Sequence, residues 1–207
     1  ALSSGLVAAI EELDGDDSLS IGILTGNGRG FCSGMDLKAF SRGEDIGPMM
    51  TIIREGSTKP LIGAIEGFAL AGGLELALTC DLLVASEGVK LGIPEAGVGL
   101  FAAGGGLLRL PSRVGHSKAM EMALTADPIT AEEGLTYGMI ARVTEKGGAL
   151  AAATELAERI ARNAPLALAA SKQLINATQG TTDDEIYALQ QPLQSSVFTS
   201  NAAAEGP

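Results

Sequence analysis

Tryptophan is missing from the 207 residues, and two Tyr and five Phe make up the whole aromatic content of 3 %. With 28 glycines and an alanine-inflated hydrophobic fraction of 46 %, the core must rely on close backbone packing rather than large side chains. Cysteine occurs twice, at Cys32 and Cys80, with no second cysteine or histidine at ligand spacing. That argues against a metal site or a CxxC redox motif and for buried free thiols. The one histidine, His116, opens RVGHSKAMEMAL, a surface helix where capping or solvation accounts for it, so a Ser-His-Asp or Cys-His mechanism has little to work with.

Basic residues are also few, 14 against 25 acids, for a net charge of −11. This argues against nucleic acid as the main partner, although a few local N–H groups, lysines or arginines suffice for an anionic small ligand. No apolar run approaches the ~18 residues of a membrane span. The first residues do not resemble a basic-then-apolar leader, and the cytoplasm is the expected compartment. At this length the chain can bury a sizeable core in one large domain, or in one domain with an appendage.

Along the chain, residues 2–13 space Leu2, Leu6, Ala9, Ile10 and Leu13 as an amphipathic helix ending near Asp14-Gly15. SIGILT (20–25) reads as a buried strand feeding a glycine-rich loop, 26–37. That loop is neither G-x-G-x-x-G nor G-K-[ST], which disfavours a dinucleotide or phosphate loop. Residues 40–58 read as a mobile loop or a short, loosely held helix. Strands are expected at 61–65 and 81–86, with an extended piece at 90–93 that Pro94 keeps out of the helical region. Beyond Pro111 helical spacing dominates, in 116–125, 130–137, 149–163, 166–178 and 183–196, with strand character only at 140–143. Thr130 with Glu133, and Thr181 or Thr182 with Glu185, have capping-box spacing. The organisation expected is a strand-rich part, 1–113, followed by a mainly helical part, 114–207.

The most informative stretch is PLIGAIEGFALAGGLELALTCD (60–81). It reads as strand, turn and helix start, with Gly72-Gly73 where unpaired N–H groups welcome negative charge. Two acids stand in apolar surroundings, Glu75 in LELAL and Glu95 in LGIPEAGVGL. Burial raises a carboxyl's proton affinity toward neutrality, which suits acid–base chemistry; an ion-paired or capping glutamate is the plainer reading of each alone. Arg109, in LLRLP, is expected to tie down a helix end or pair with an acid.

Three blocks, LTGNGRGFCSGMDLKAF (24–40), KPLIGAIEGFALAGGLELALTCDLLVA (59–85) and KLGIPEAGVGLFAAGGGLLRLP (90–111), resemble the crotonase family, the enoyl-CoA hydratase/isomerase superfamily. With ALTADPITAEEGLTYGMIARV (123–143) the resemblance covers essentially the whole chain. It implies an α/β fold, a spiral of repeated ββα units followed by helices that trimerise, often as a dimer of trimers. It implies an acyl-CoA thioester as substrate, with coenzyme A as part of that substrate and no separate cofactor or metal. By position, the backbone N–H groups of Met35 and Gly72 become the oxyanion hole, Glu75 and Glu95 the catalytic pair, and Met35, Asp36, Leu37, Lys38 and Gly72 the substrate-binding set. For the CoA phosphates block one offers Arg29, Lys38 and Arg42, of which Lys38 matches the family motif. Retention of both glutamates favours hydration of a 2-enoyl-CoA. The alternatives are 3-to-2 enoyl isomerisation or another crotonase-type reaction, or a non-catalytic acyl-CoA-binding paralogue. Met35 stands where the family often has alanine, and Ala102-Ala103 where it often has proline and glycine. Relative to the family, both ends look shortened.

Overall fold

The computed structural model describes residues 2–35, 47–178 and 180–205. Strand β2 (Leu61–Ile65) is the centre of the fold, and all five of its residues are buried. It pairs in parallel with β1 (Gly22–Thr25), Gly22 opposite Leu61, and with β4 (Leu82–Ser86), Ile62 opposite Leu82. β7 (Arg142–Thr144) extends the parallel sheet to the order β1-β2-β4-β7. A strand hydrophobic on both faces needs cover on both faces, and alternation along β2 and β4 supplies it. Ile62, Ala64 and Val84 meet the alanine stripe Ala149, Ala153 and Ala157 of helix α7 (Ala149–Ala161). Leu61, Ile65, Leu83 and Ala85 turn the other way into the main core with Leu74, Leu91 and Leu110. Each fully buried leucine or isoleucine contributes about 2 kcal/mol relative to exposure.

The second sheet runs β3-β5-β6, from β3 (Phe68–Leu70), β5 (Lys90–Gly92) and β6 (Ile129–Thr130). Consecutive strands are thus dealt alternately: β2 to the first sheet and β3 to the second, then helix α3 (Gly72–Ala77); β4 to the first and β5 to the second, then a 3₁₀ turn (Pro94–Val98) and helix α4 (Gly106–Val114). The preceding turn of chain contributes β1 to the first sheet and, through the parallel bridge from Cys32 to Ala69, an edge to the second. This is the α/β spiral of ββα units expected from the sequence. Beyond residue 113 the chain is mostly helical, with α5 (His116–Thr125), α6 (Ala131–Tyr137), α7, α8 (Pro165–Ala177), α9 (Asp183–Phe198) and α10 (Asn201–Glu205), yet it also supplies β6 and β7 to the two sheets.

Local chemistry fixes the ends of these elements. The capping box at Thr130 and Glu133 forms in full and starts α6, and Thr182 rather than Thr181 makes the second one, with Glu185, at α9. Helix α1 (Leu2–Gly15) ends where expected, and its Asp14 carboxylate accepts from the Ser57 hydroxyl and the Thr58 and Lys59 N–H groups. Two readings change. Residues 40–46 lie outside the described residues, and Gly47–Glu55 forms a helix, α2, that is firmly seated through buried Ile52 and Ile53 rather than loosely held. Both thiols are free, but only Cys80 is buried; burial, with the Asp81 charge beside it, pushes its thiol up to about 12. Cys32 is half-buried, because it lies in the loop that runs over the edge of β3.

Glu66, in the turn between β2 and β3, clasps this arrangement. Its carboxylate accepts from the Ser86 hydroxyl at 2.6 Å and from the N–H groups of Gly147 and Ala149 at 3.2 and 3.0 Å. Partial burial works against the ionised form, but these three donors outweigh it and hold the carboxyl below its ordinary value. A depressed folded-state value means stability that is fully present above the unfolded value of about 4.3 and is lost as pH falls through the folded one. The melting temperature of Glu66→Gln should therefore lie below that of the parent at neutral pH, and the gap should narrow as pH falls below about 4. Melting curves across that range check it, and a gap independent of pH would refute it.

Candidate active site

Helix α3 begins in an unusual way. Ala71, the residue before it, has φ 51° and ψ −133°, a conformation that costs a non-glycine residue about 1–3 kcal/mol. Both of its peptide groups are pinned: its N–H donates to the Gly92 carbonyl at 2.9 Å, and its own carbonyl accepts from Leu74 and Glu75 at 2.9 and 3.1 Å. The following N–H, that of Gly72, therefore emerges at the helix start with no acceptor among the described residues.

The loop of block one is pressed against this point. A Cβ on Gly73 would lie 2.2 Å from the Cys32 carbonyl oxygen, so only glycine allows the loop and helix to approach so closely. Gly34, at φ +97°, turns the loop back, and its N–H donates to the Cys32 thiol at 3.4 Å. An ideal Cβ on Gly34 would sit 3.1 Å from the Gly72 nitrogen, and one on Gly72 would sit 3.7 Å from the Met35 nitrogen. The Met35 and Gly72 N–H groups thus border one small space, and the Met35 N–H also has no acceptor among the described residues. Met35 itself is 43 % exposed. Asp36, Leu37 and Lys38, expected beside Met35, lie outside the described residues, as does Arg42. Arg29 lines a different crevice, of about 390 Å³, with Glu66, Glu87 and Lys146.

Glu75 follows in the first turn of α3 and is only 5 % exposed. Its Oε1 accepts the Gly106 N–H, the first of α4, at 2.9 Å. Gly104 and Gly106 fold round it so closely that a Cβ on either would lie 2.6 Å from Oε2 or 3.0 Å from Cγ. Its free Oε2 lies 3.9 Å from the Cβ position of Gly72, so the carboxylate faces the same space as the two N–H groups. The glycine triplet 104–106 is legible in the sequence as a flexible turn, but nothing in it says that the turn wraps a carboxylate.

Glu95 is the second residue of the 3₁₀ turn that Pro94 opens, and its carbonyl receives the Leu100 N–H at 3.0 Å. Its Oε2 is buried with no hydrogen-bond partner among the described residues. Desolvation raises its proton affinity above the ordinary carboxyl value; a bond to its own backbone N–H opposes this in part, and the nearby Glu75 charge adds a smaller increase. The two expected glutamates lie near each other with different settings: one oxygen of Glu75 is anchored, while burial makes Glu95 hold a proton more tightly than an ordinary carboxyl does. A carbonyl oxygen placed against the two N–H groups would have the Glu75 carboxylate nearby, with Glu95 close enough to Glu75 to feel its charge. Arg109, on α4, behaves as the sequence suggested and ties down a helix end, donating to the Arg54 carbonyl at the end of α2 at 3.0 Å.

Comparison with known proteins gives the arrangement its relatives. The family model described as enoyl-CoA hydratase/isomerase matches residues 1–207. A probable peroxisomal enoyl-CoA hydratase of Arabidopsis thaliana is 41 % identical over 124 residues, covering 58 % of this chain and 47 % of the relative. A 2,3-dehydroadipyl-CoA hydratase of Escherichia coli K12 is 38 % identical over 125 residues, covering 58 % of this chain and 49 % of the relative. The matched portion spans about half the length of these curated relatives. Among solved structures, an enoyl-CoA hydratase from Mycobacterium marinum superposes with a TM-score of 0.95 at 49 % identity, covering 99 % of this chain and 82 % of that one. One from Mycobacterium tuberculosis H37Rv does so with a TM-score of 0.95 at 49 % identity, covering 100 % and 83 %.

Proposed function

Since the chain belongs to the enoyl-CoA hydratase/isomerase family, we propose that it adds water across the 2,3 double bond of a 2-enoyl-CoA thioester. The observation that carries this reading is the buried, partnerless Oε2 of Glu95 beside the anchored Glu75. In this reading the Met35 and Gly72 N–H groups hold the thioester oxygen, on which negative charge grows as the enolate forms. A backbone donor already fixed by Ala71 needs no reorganisation at that moment, and one such donor is worth roughly 3 kcal/mol in comparable sites. Glu75, through its free Oε2, positions and activates a water molecule whose oxygen bonds to C3. Glu95 delivers a proton to C2, and the proton taken from water remains on the carboxylate pair until it is exchanged with solvent. Asp36, Leu37 and Lys38 complete the proposed substrate-binding set. The proposed reaction needs no cofactor beyond the coenzyme A that is part of the substrate.

The exposed faces of two helices support the accompanying proposal of a homotrimer or dimer of trimers. Helices α8 and α9 bury none of their residues, and they leave Leu166, Ile175, Tyr187 and Phe198 more than half exposed. Among the described residues no helix is long and apolar enough to cross a membrane.

The purified protein is expected to remove the conjugated-thioester absorbance of crotonyl-CoA or of a longer 2-enoyl-CoA, with one water gained in the product by mass. No turnover at any chain length refutes hydration. With a 3-enoyl-CoA, a product whose double bond has moved without addition of water would instead favour isomerisation.

A further inference from the structure

Behind the proposed active site, where the ends of α2 and α3 meet α4 and α8, lies a polar cavity of about 350 Å³. Four cations face it, Arg54, Arg109, Arg113 and Lys172, in a chain whose overall charge is −11. Two carboxylates share the space. Asp81 is already engaged, with Oδ2 accepting from Lys172 Nζ at 2.8 Å and from the Leu61 N–H at 2.7 Å, while Glu55 is exposed and makes no ion pair among the described residues.

Arg109 and Arg113 stand four residues apart on α4, so their side chains share a face. Neither is paired with a carboxylate among the described residues. Arg113 donates to the Asp81 and Cys80 carbonyls at 3.0 and 2.8 Å, and Arg109 to the Arg54 carbonyl at 3.0 Å. Carbonyl oxygens orient a guanidinium without neutralising it. Both groups are partly desolvated, which lowers their proton affinity; for Arg109 the neighbouring Arg113 charge adds to the effect and the Glu75 charge opposes it, while for Arg113 the Asp81 charge opposes it. Two like charges partly withdrawn from water, each offset only in part by a carboxylate it does not ion-pair with, are a costly arrangement that an anion would relieve. The donors to receive one are unspent: Nε and Nη1 of Arg109, Nε of Arg113, the Arg54 guanidinium and the Asn176 amide have no partner among the described residues.

We infer that this cavity binds a small phosphate dianion, either free phosphate or the phosphomonoester end of a small metabolite. The surplus of two positive charges matches the −1.5 to −2 that a phosphomonoester carries near pH 7, and guanidinium forks suit its oxygens. A monocarboxylate would leave half the surplus uncompensated. The inference rests on the cavity alone and stands or falls separately from the reading of the Glu75 and Glu95 site.

The test is calorimetric titration of the whole protein with orthophosphate, glycerol 3-phosphate and acetate. Saturable binding of orthophosphate, stronger than that of acetate, is expected. Tighter binding of glycerol 3-phosphate would name the phosphomonoester as the source. Arg54→Glu and Asn176→Asp change exposed side chains and leave the fold intact; each should weaken orthophosphate at least about tenfold, by placing a negative charge within a few ångströms of the ligand. Arg29→Gln, in the other crevice, should change nothing. Absence of saturable binding, equal binding of acetate, insensitivity to both cavity variants, or loss in Arg29→Gln would each overturn the assignment.

Discussion

Replacing Glu95 with glutamine is expected to lower kcat for hydration of crotonyl-CoA by about 10²–10⁴-fold, the usual contribution of a positioned acid or base. KM should stay within a few-fold, because on the proposed mechanism the thioester oxygen is held elsewhere, by the Met35 and Gly72 N–H groups. Stability should not suffer. Oε2 of Glu95 makes no hydrogen bond that glutamine would break, and glutamine removes both the desolvation cost and the repulsion from Glu75. The melting temperature of Glu95→Gln should therefore equal or exceed that of the parent. A rate loss accompanied by a lower melting temperature would point to a structural role instead, and full activity would remove Glu95 from the mechanism. The raised proton affinity of Glu95 also has a readout. Activity of the parent should fall on the alkaline side as Glu95 gives up the proton it must deliver, and Glu95→Gln should lose that limb from its residual pH profile.

The second large effect is expected at Gly73. In Gly73→Ala the new Cβ meets the Cys32 carbonyl oxygen at 2.2 Å and its carbon at 2.6 Å. Both are backbone atoms of a loop bridged to β3, so the loop and α3 must separate. Separation moves the Met35 N–H away from the Gly72 N–H, and loss of one oxyanion donor costs about 10²–10³ in kcat. A drop in melting temperature should accompany it, since overpacking of this kind costs about 1–3 kcal/mol. Gly72→Ala is the control. Its nearest neighbour is 3.5 Å away, so the fold should be unaffected while the methyl intrudes beside the proposed oxyanion position. Steady-state kinetics and melting curves of the pair check the argument: Gly73→Ala should lose both stability and kcat, and Gly72→Ala activity alone. Normal activity in Gly73→Ala would mean that the two N–H groups do not work together.

How much of this could be read from the residues depends on what each feature needs. β2 was legible because five consecutive apolar residues broken by Glu66-Gly67 announce a strand, and α7 because Leu150, Ala153, Leu156, Ala157 and Ile160 fall at helical spacing, although only the fold shows that Ala149, Ala153 and Ala157 form the stripe that packs on the sheet. The capping box at Thr130 is chemistry confined to four residues, so it too is written locally. β3 is different. Three residues are too few to show a period of two, and Phe68–Leu70 becomes a strand only because β5 and the Cys32 edge flank it. Ala71 gives no sign of its positive φ, which comes from the bonds its two peptide groups make to β5 and α3. Likewise Ile52 and Ile53 sit in a stretch of weak periodicity, and their burial depends on contact with Leu76 and the neighbouring helix. For the site, Glu75 and Glu95 stood out as acids in apolar sequence, whereas the partners that set them apart, Gly106 for one and none for the other, exist only after folding.

The alternate dealing of strands between two sheets has a consequence for how competence is acquired. One donor comes from the loop after β1, the second donor and Glu75 from the turn carrying β3 and α3, Glu95 from the turn carrying β5, and the N–H that anchors Glu75 from the start of α4. No single coil of the spiral holds a working subset, and nothing but stacking brings residue 35 beside residue 72. Contacts so far apart along the chain carry a large loop-closure cost before they are rewarded. On the proposed mechanism a half-built spiral lacks part of the thioester site, so activity is expected only once all of these coils are stacked, and the immature chain should be silent rather than weakly active.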